Sequence, residues 1–181
     1  MKSALPLLIR RRLLRRVAGN WRVAVLSAPA GFGKTTLAQQ AIAGRDAGWV
    51  RLGPDDRALP HLVGTLLGAD AAHRPPWLER TRRLFASRRD LERDLALVTA
   101  SLAAELAPAH GERWLVLDDL HEIEGAPTVL AWLSRLLDAA GPRVRTIVTC
   151  RGACPLALGR FEVAGGVVEL RADDLAFTSD E

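Results

Sequence analysis

The stretch Leu26–Leu37, LSAPAGFGKTTL, constrains what this chain can fold into more than any other. An apolar run through Trp21, Val23, Val25 and Leu26 enters it, and Thr35, Thr36, Leu37, Ala38 and Ile42 leave it. That order predicts strand, tight glycine loop, helix. Such a loop wraps main-chain N–H groups around a polyphosphate, and Gly31 and Gly33 supply the positive-φ conformations that close wrapping requires. Lys34 brings a cation to the β- and γ-phosphates, the Thr35 hydroxyl is placed to ligate Mg²⁺, and the first helical turn adds its dipole. The usual spacing is G-x4-G-K-[ST]; here Ala28 stands at the first glycine position. The plain alternative is a Gly-rich turn without a ligand. Composition favours the loop, because apart from Lys2 the only lysine is Lys34, where a compact point charge is wanted and arginine serves less well.

The chain has 181 residues, of which 49% are hydrophobic and 25% charged, enough for one good-sized core and ordinary for a single domain. Its net charge of +4 is unevenly placed. Residues 1–22 carry seven basic side chains and no acid, which leaves 18 bases against 21 acids in the remainder. The basic balance therefore describes the amino-terminal arm, and general nucleic-acid binding is not implied. Apolar runs fall short of the roughly 20 residues of a membrane helix, so the expectation is a cytoplasmic protein without a membrane partner. Cys150 and Cys154 stand as a lone C-x3-C and are expected as two reduced thiols. The four histidines, His61, His73, His110 and His121, are scattered and suggest no ligand set.

Along the chain, residues 5–18 alternate apolar and basic positions at helical spacing and end near Gly19-Asn20. Two roles are open for this arm: a solvated basic helix lying on the domain, or a segment whose Arg10, Arg11 and Arg12 fold over the nucleotide. A strand is expected at 22–27, a helix at 35–44, a strand at 48–52 and a helix at 59–67. After a Pro75-Pro76 loop come helices at 77–85 and 91–106. Trp114-Leu115-Val116-Leu117-Asp118-Asp119 is the second informative stretch. Four apolar residues make a buried strand, and its two carboxylates emerge at the edge where ligands of open α/β sheets bind. This resembles a Walker B strand, in which Asp118 holds Mg²⁺ through water and Asp119, or Glu122, orients or deprotonates the attacking water. A helix at 128–137 follows, then a strand at 144–150 that ends at Arg151, placed to touch the γ-phosphate, and a short strand at 165–170. Thr178 and Glu181 have the spacing of a capping box. They predict the start of a further helix, and hence a longer protein.

Several of these stretches, in the same order and spacing, resemble one family. IRRRLLRRV is similar to its arm, SAPAGFGKTTL to its phosphate loop, GWVRL with Asp55 to its second strand, LVLDDLHEI to its Walker B segment, TIVTCR to its sensor strand and VVELRADDLAFTSDE to its exit segment. The family is the nucleotide-binding domain of the large ATP-binding LuxR-type transcriptional regulators, within the STAND class of ATPases. Arg11 replaces the proline of the family's arm, and residues 57–112 match loosely. The resemblance implies an α/β, three-layer P-loop NTPase fold. Its sheet is mainly parallel and five-stranded, with the sensor strand between the phosphate-loop and Walker B strands. It implies an arm at 1–20, the nucleotide-binding domain at 21–177 and the start of a following helix at 178–181. It also implies ATP and Mg²⁺ as ligands, slow hydrolysis, nucleotide-dependent self-association of the full-length protein, and DNA contact only through a C-terminal domain. Carried over by position, Ala30, Gly31, Phe32, Gly33, Lys34, Thr35, Thr36 and Arg12 hold the nucleotide. Thr35 and Asp118 hold the metal, and Lys34, Asp119 and Arg151 serve hydrolysis.

Two other readings stand beside this one. In a small-molecule P-loop kinase, Asp55-Asp56-Arg57, about 20 residues after Lys34, would supply the substrate-binding acids; the metal-fitting acids at 118 and 119, a strand and a helix excursion later, oppose it. A DNA-contacting arm would bind phosphates with steep salt dependence, but nothing in it offers base readout.

Overall fold

The computed structural model describes residues 8–68, 77–87 and 91–177. The expected Pro75-Pro76 loop and the Thr178–Glu181 capping box lie outside them. In chain order the elements are α1 (Arg11–Val17), β1 (Val23–Ser27), α2 (Lys34–Ile42), β2 (Ala47–Arg51), α3 (Leu59–Leu66), α4 (Glu79–Ala86), α5 (Leu91–Leu106), β3 (Arg113–Asp118), α6 (Pro127–Ala139), β4 (Val144–Cys150), α7 (Gly159–Val163), β5 (Val167–Leu170) and α8 (Ala172–Leu175). Short 3₁₀ turns occupy Pro54–Arg57 and Leu120–Ile123.

The strands form one sheet in the order β2-β3-β4-β1-β5, and every pairing is parallel. As expected, β4 lies between β1 and β3. Near-continuous apolar strands are what a sheet covered on both faces demands, and the alternation assigns each residue its side. Val23, Val25, Leu115, Leu117 and Val148 pack into a core with Leu62, Val63, Leu102, Leu133 and Leu136 of α3, α5 and α6. Ala24, Leu26, Trp114, Val116 and Ile147 pack oppositely with Leu13, Leu37, Ala38 and Leu175 of α1, α2 and α8. Each fully buried side chain of this size is worth about 2 kcal/mol, so the strand tips are fixed from both sides. The register sets Ser27 against Cys150, Leu117 against Val148 and Arg51 against Asp118, which brings four strand ends level at one edge.

The amino-terminal edge of the sheet is closed by aromatics and arginines. Trp114 meets Trp21 edge to face with ring centroids 5.2 Å apart, and the guanidinium of Arg45 lies 4.2 Å from the Trp114 centroid. Chemistry is left to the carboxyl edge.

The arm differs from the helix expected over 5–18. Residues 8–10 are not helical, because their main chain bonds to α2 instead. The Arg10 N–H reaches Gln40 Oε1 at 3.2 Å, and Gln40 Nε2 donates to Leu8 O at 2.8 Å. As a basic helix lying on the domain would, α1 buries Leu13 and Val17, 0% and 2% exposed, and leaves Arg11, Arg12, Arg15 and Arg16 exposed. The Arg10 guanidinium, itself buried, donates to Leu175 O at 2.7 Å and Ala176 O at 3.0 Å and lies 4.4 Å from the Phe177 ring centroid. Arg16 pairs with the Asp174 carboxylate. Arg10 therefore caps carbonyls at the end of α8, groups that a helix terminus leaves without partners, and Arg16 adds a side-chain pair to the same helix. Replacing Arg10 with alanine is expected to cost about 2 kcal/mol, as for lost hydrogen bonds from a charged donor. Arg11→Ala, at an exposed position, stays within about 0.5 kcal/mol. Urea unfolding of both variants checks this.

Candidate functional site

At the carboxyl edge the glycine loop takes the conformation its sequence demands. Gly31 and Gly33 have φ of +89° and +73°, and Gly33 caps α2. A Cβ at either position would meet nothing within 4 Å, so backbone conformation rather than space requires glycine there. The first amide of α2 to find a main-chain acceptor is that of Leu37, bonded to Gly33 O at 2.9 Å. Among the described residues no carbonyl accepts from the amides of residues 31–36, which leaves a row of donors at a helix N-terminus. Ala30 and Thr35 are exposed, Thr36 is half-buried, and Phe32 packs its ring against the α1–α2 core.

Lys34 folds back into this loop. Its Nζ donates to Ala28 O at 2.6 Å and Pro29 O at 2.9 Å. Burial pushes its pKa below the ordinary lysine value, against the Asp119 carboxylate and Cys150, which pull it up; Arg151 adds to the lowering and Asp118 to the raising. An ammonium desolvated against two neutral carbonyls gains from a phosphate oxygen, where the hydrogen bonds become ion-ion.

Asp118 ends β3 and is 3% exposed. Its Oδ1 accepts from the Thr149 hydroxyl at 2.6 Å and the Thr35 hydroxyl at 3.3 Å. Neutral hydroxyls solvate this buried carboxylate without cancelling its charge, and a cation would. A carboxylate and a hydroxyl side by side are hard oxygen donors of the kind Mg²⁺ takes, directly or through water. Thus the loop and the Walker B strand, 83 residues apart, do meet.

Asp119, at φ +62°, is the one non-glycine residue with positive φ among those described. Its N–H donates to Thr149 Oγ1 at 2.9 Å, and its Oδ2 lies 3.3 Å from Arg51 Nε. Backbone strain of this kind, about 1 kcal/mol or more, gathers at functional sites. Glu122 lies beside it, with Oε1 at 3.4 Å from His121 Nε2. Arg151 is exposed beyond β4, in a hollow of about 390 Å³ bounded by Ser27, Pro29, Glu169 and Arg171.

Arg12, expected against the nucleotide, is placed otherwise. Its Nη2 donates to Asp174 O at 2.8 Å and Ala176 O at 3.3 Å, drawn there by the carbonyls ending α8. Thr149 and Arg51 were not legible as site residues. Thr149 is one threonine in an apolar strand, and only its position one step beyond the Leu117–Val148 pair sets it level with Asp118.

The fold is that of the P-loop NTPases. Solved structures share it: Cdc6p from Pyrobaculum aerophilum matches at 20% identity over 93% of this chain and 47% of its own, with a TM-score of 0.59. Orc1 of Aeropyrum pernix, solved in complex with DNA, matches at 18% identity over 89% of this chain and 43% of its own, with a TM-score of 0.52. A Walker-type ATPase of Pyrococcus abyssi matches at 14% identity over 95% of this chain and 55% of its own, with a TM-score of 0.53. The chain thus spans about half the length of these relatives. No known protein-family pattern matches it.

Because conformation alone requires glycine in the loop, Gly33→Ala is expected to cost about 1–2 kcal/mol, the penalty of a left-handed L-residue. Chemical denaturation reads the loss.

Proposed function

We propose that this chain is the ATP- and Mg²⁺-binding module of a regulatory ATPase of the STAND class. Nucleotide binding and slow hydrolysis would switch the assembly of a longer, cytoplasmic LuxR-type transcription regulator, with residues 21–177 as the nucleotide-binding unit. The observation that carries this is the 3.3 Å approach of the Thr35 hydroxyl to the Asp118 carboxylate, beside an inward-turned Lys34. The ordered resemblance of the arm, loop, Walker B, sensor and exit segments supports the regulator class.

In this reading the unpaired amides of residues 31–36 hold the phosphates, and Lys34 leaves Ala28 O and Pro29 O for the β- and γ-oxygens. Thr35 and Asp118 would hold Mg²⁺. When bound, Mg²⁺ would supply positive charge against that developing on the phosphate oxygens. Asp119 orients or deprotonates the attacking water, and Arg151 contacts the γ-phosphate. Hydrolysis is slow because the Asp119 carboxylate is shared with Arg51 and an arginine from a neighbouring subunit is often needed as well. The kinase alternative loses its acid pair: Asp56, 5% exposed, accepts from Gly53 N at 2.7 Å and from the Thr65 hydroxyl at 2.6 Å. That carboxylate holds the scaffold. DNA accompanies the solved Orc1 relative; here we assign DNA contact to a separate domain of the longer protein. Among the described residues no helix is long and apolar enough to cross a membrane.

ATP at 100 times its dissociation constant stabilises a fold by about 2.7 kcal/mol, which for a chain of this size raises Tm by about 5–10 °C. That shift should require Mg²⁺ and vanish in Lys34→Ala. A wild-type chain whose melting ignores Mg²⁺-ATP would sink the proposal, and phosphoryl transfer to an acceptor hydroxyl faster than to water would replace it with the kinase.

Binding should also depend on pH through Lys34. The triphosphate favours the protonated amine, so affinity is constant below the pKa of the free protein, which lies under 10.5. Above that pKa it declines about tenfold per pH unit until the pKa of the complex is passed. Titration calorimetry from neutral to alkaline pH tests the sign.

A further inference from the structure

We propose that Thr149 sets the metal affinity of this site by fixing, through one buried hydroxyl, both the carboxylate of Asp118 and the main-chain turn at Asp119. The inference rests on the function proposed above and adds a positioning residue to it.

Thr149 is fully buried near the end of β4, the strand wedged between β1 and β3. Its Oγ1 lies 2.6 Å from Asp118 Oδ1 and 2.9 Å from the Asp119 amide nitrogen. A hydroxyl has one proton and two lone pairs, whereas an amide N–H only donates and an ionised carboxylate only accepts. The direction of the network is therefore determined: Asp119 N–H gives to Thr149, and Thr149 gives its single proton to Asp118. Asp118 Oδ1 is held by β4 whether or not Thr35 also reaches it. Among the described residues no donor reaches Asp118 Oδ2, which remains for a cation or its water.

The same hydroxyl holds the Asp119 backbone. At φ +62° this residue sits in a conformation that persists only where its surroundings enforce it, and Thr149 Oγ1 accepts its N–H. A β-branched side chain is stiff at χ1, so threonine presents the hydroxyl at one angle. Among the described residues the Thr149 hydroxyl bonds only to Asp118 and the Asp119 N–H, so its effect passes through the two aspartates. Loss of such an outer partner typically weakens metal affinity 10–100-fold, while the loop amides and Lys34 keep the nucleotide.

The test separates metal from nucleotide. In Thr149→Val, which keeps the shape and removes the proton, the free Mg²⁺ concentration at which the ATP-induced melting shift is half developed should rise 10–100-fold. ATP affinity measured in EDTA should stay within about threefold of wild type. Thr149→Ser, which restores the proton, should bring the Mg²⁺ midpoint back to within about threefold. If the valine variant fails to fold, Thr149→Cys keeps the volume with a weak donor and should raise the midpoint at least tenfold. A wild-type midpoint in the folded valine or cysteine variant overturns the inference alone, as does a serine variant as defective as valine. A wild-type chain that shows no Mg²⁺-dependent shift overturns this inference together with the function it rests on.

Discussion

A buried carboxylate held by hydroxyls from two different elements is the contact on which the rest of this structure depends. Asp118 is 3% exposed and bonded to Thr149 and Thr35, so its charge is solvated by oxygen donors but not neutralised. Such a group is costly to bury and is kept where a cation can use it. Two layers of helix on either face of a parallel sheet make the burial possible, because only strands packed on both sides can hold their tips to within a hydrogen bond. The glycine loop and the tips of β3 and β4 are then neighbours at one edge of the sheet.

The charges divide by chemistry in a way that the composition already hints at. The single lysine among the described residues turns into the loop, where a desolvated ammonium can move between carbonyl and phosphate oxygens. Several arginines do structural work elsewhere. Arg10 and Arg12 cap the end of α8, and Arg45 and Arg145 lie over the faces of Trp114 and Trp21. A planar guanidinium with five donors suits carbonyl groups and rings. The arm thereby joins the phosphate-loop helix, through Gln40, to the segment that leaves the sheet.

The glycine loop shows how much could be read without coordinates. Two glycines, a lysine and a threonine at fixed offsets after an apolar strand leave few conformations open, and both glycines adopt positive φ. The strand at 144–150 and the helix at 91–106 keep their expected limits, because long periodic segments carry their own signal. The short turn at 120–123 and the helices α7 and α8 were not foreseen, being too brief for any periodicity. Arg12 was assigned to the nucleotide from its place in the chain, and the carbonyls at the end of α8 decide its direction instead.

By itself, then, the sequence determined the class of fold, the parallel sheet and the loop and strand that make up the candidate site, since local conformation and apolar periodicity are properties of neighbouring residues. Only the tertiary structure decided that Thr149 stands level with Asp118, that Arg51 reaches Asp119, and that Asp56 is spent on Gly53 and Thr65. Those contacts join residues distant in the chain. They depend on strand order and register, which no spacing along one chain encodes locally.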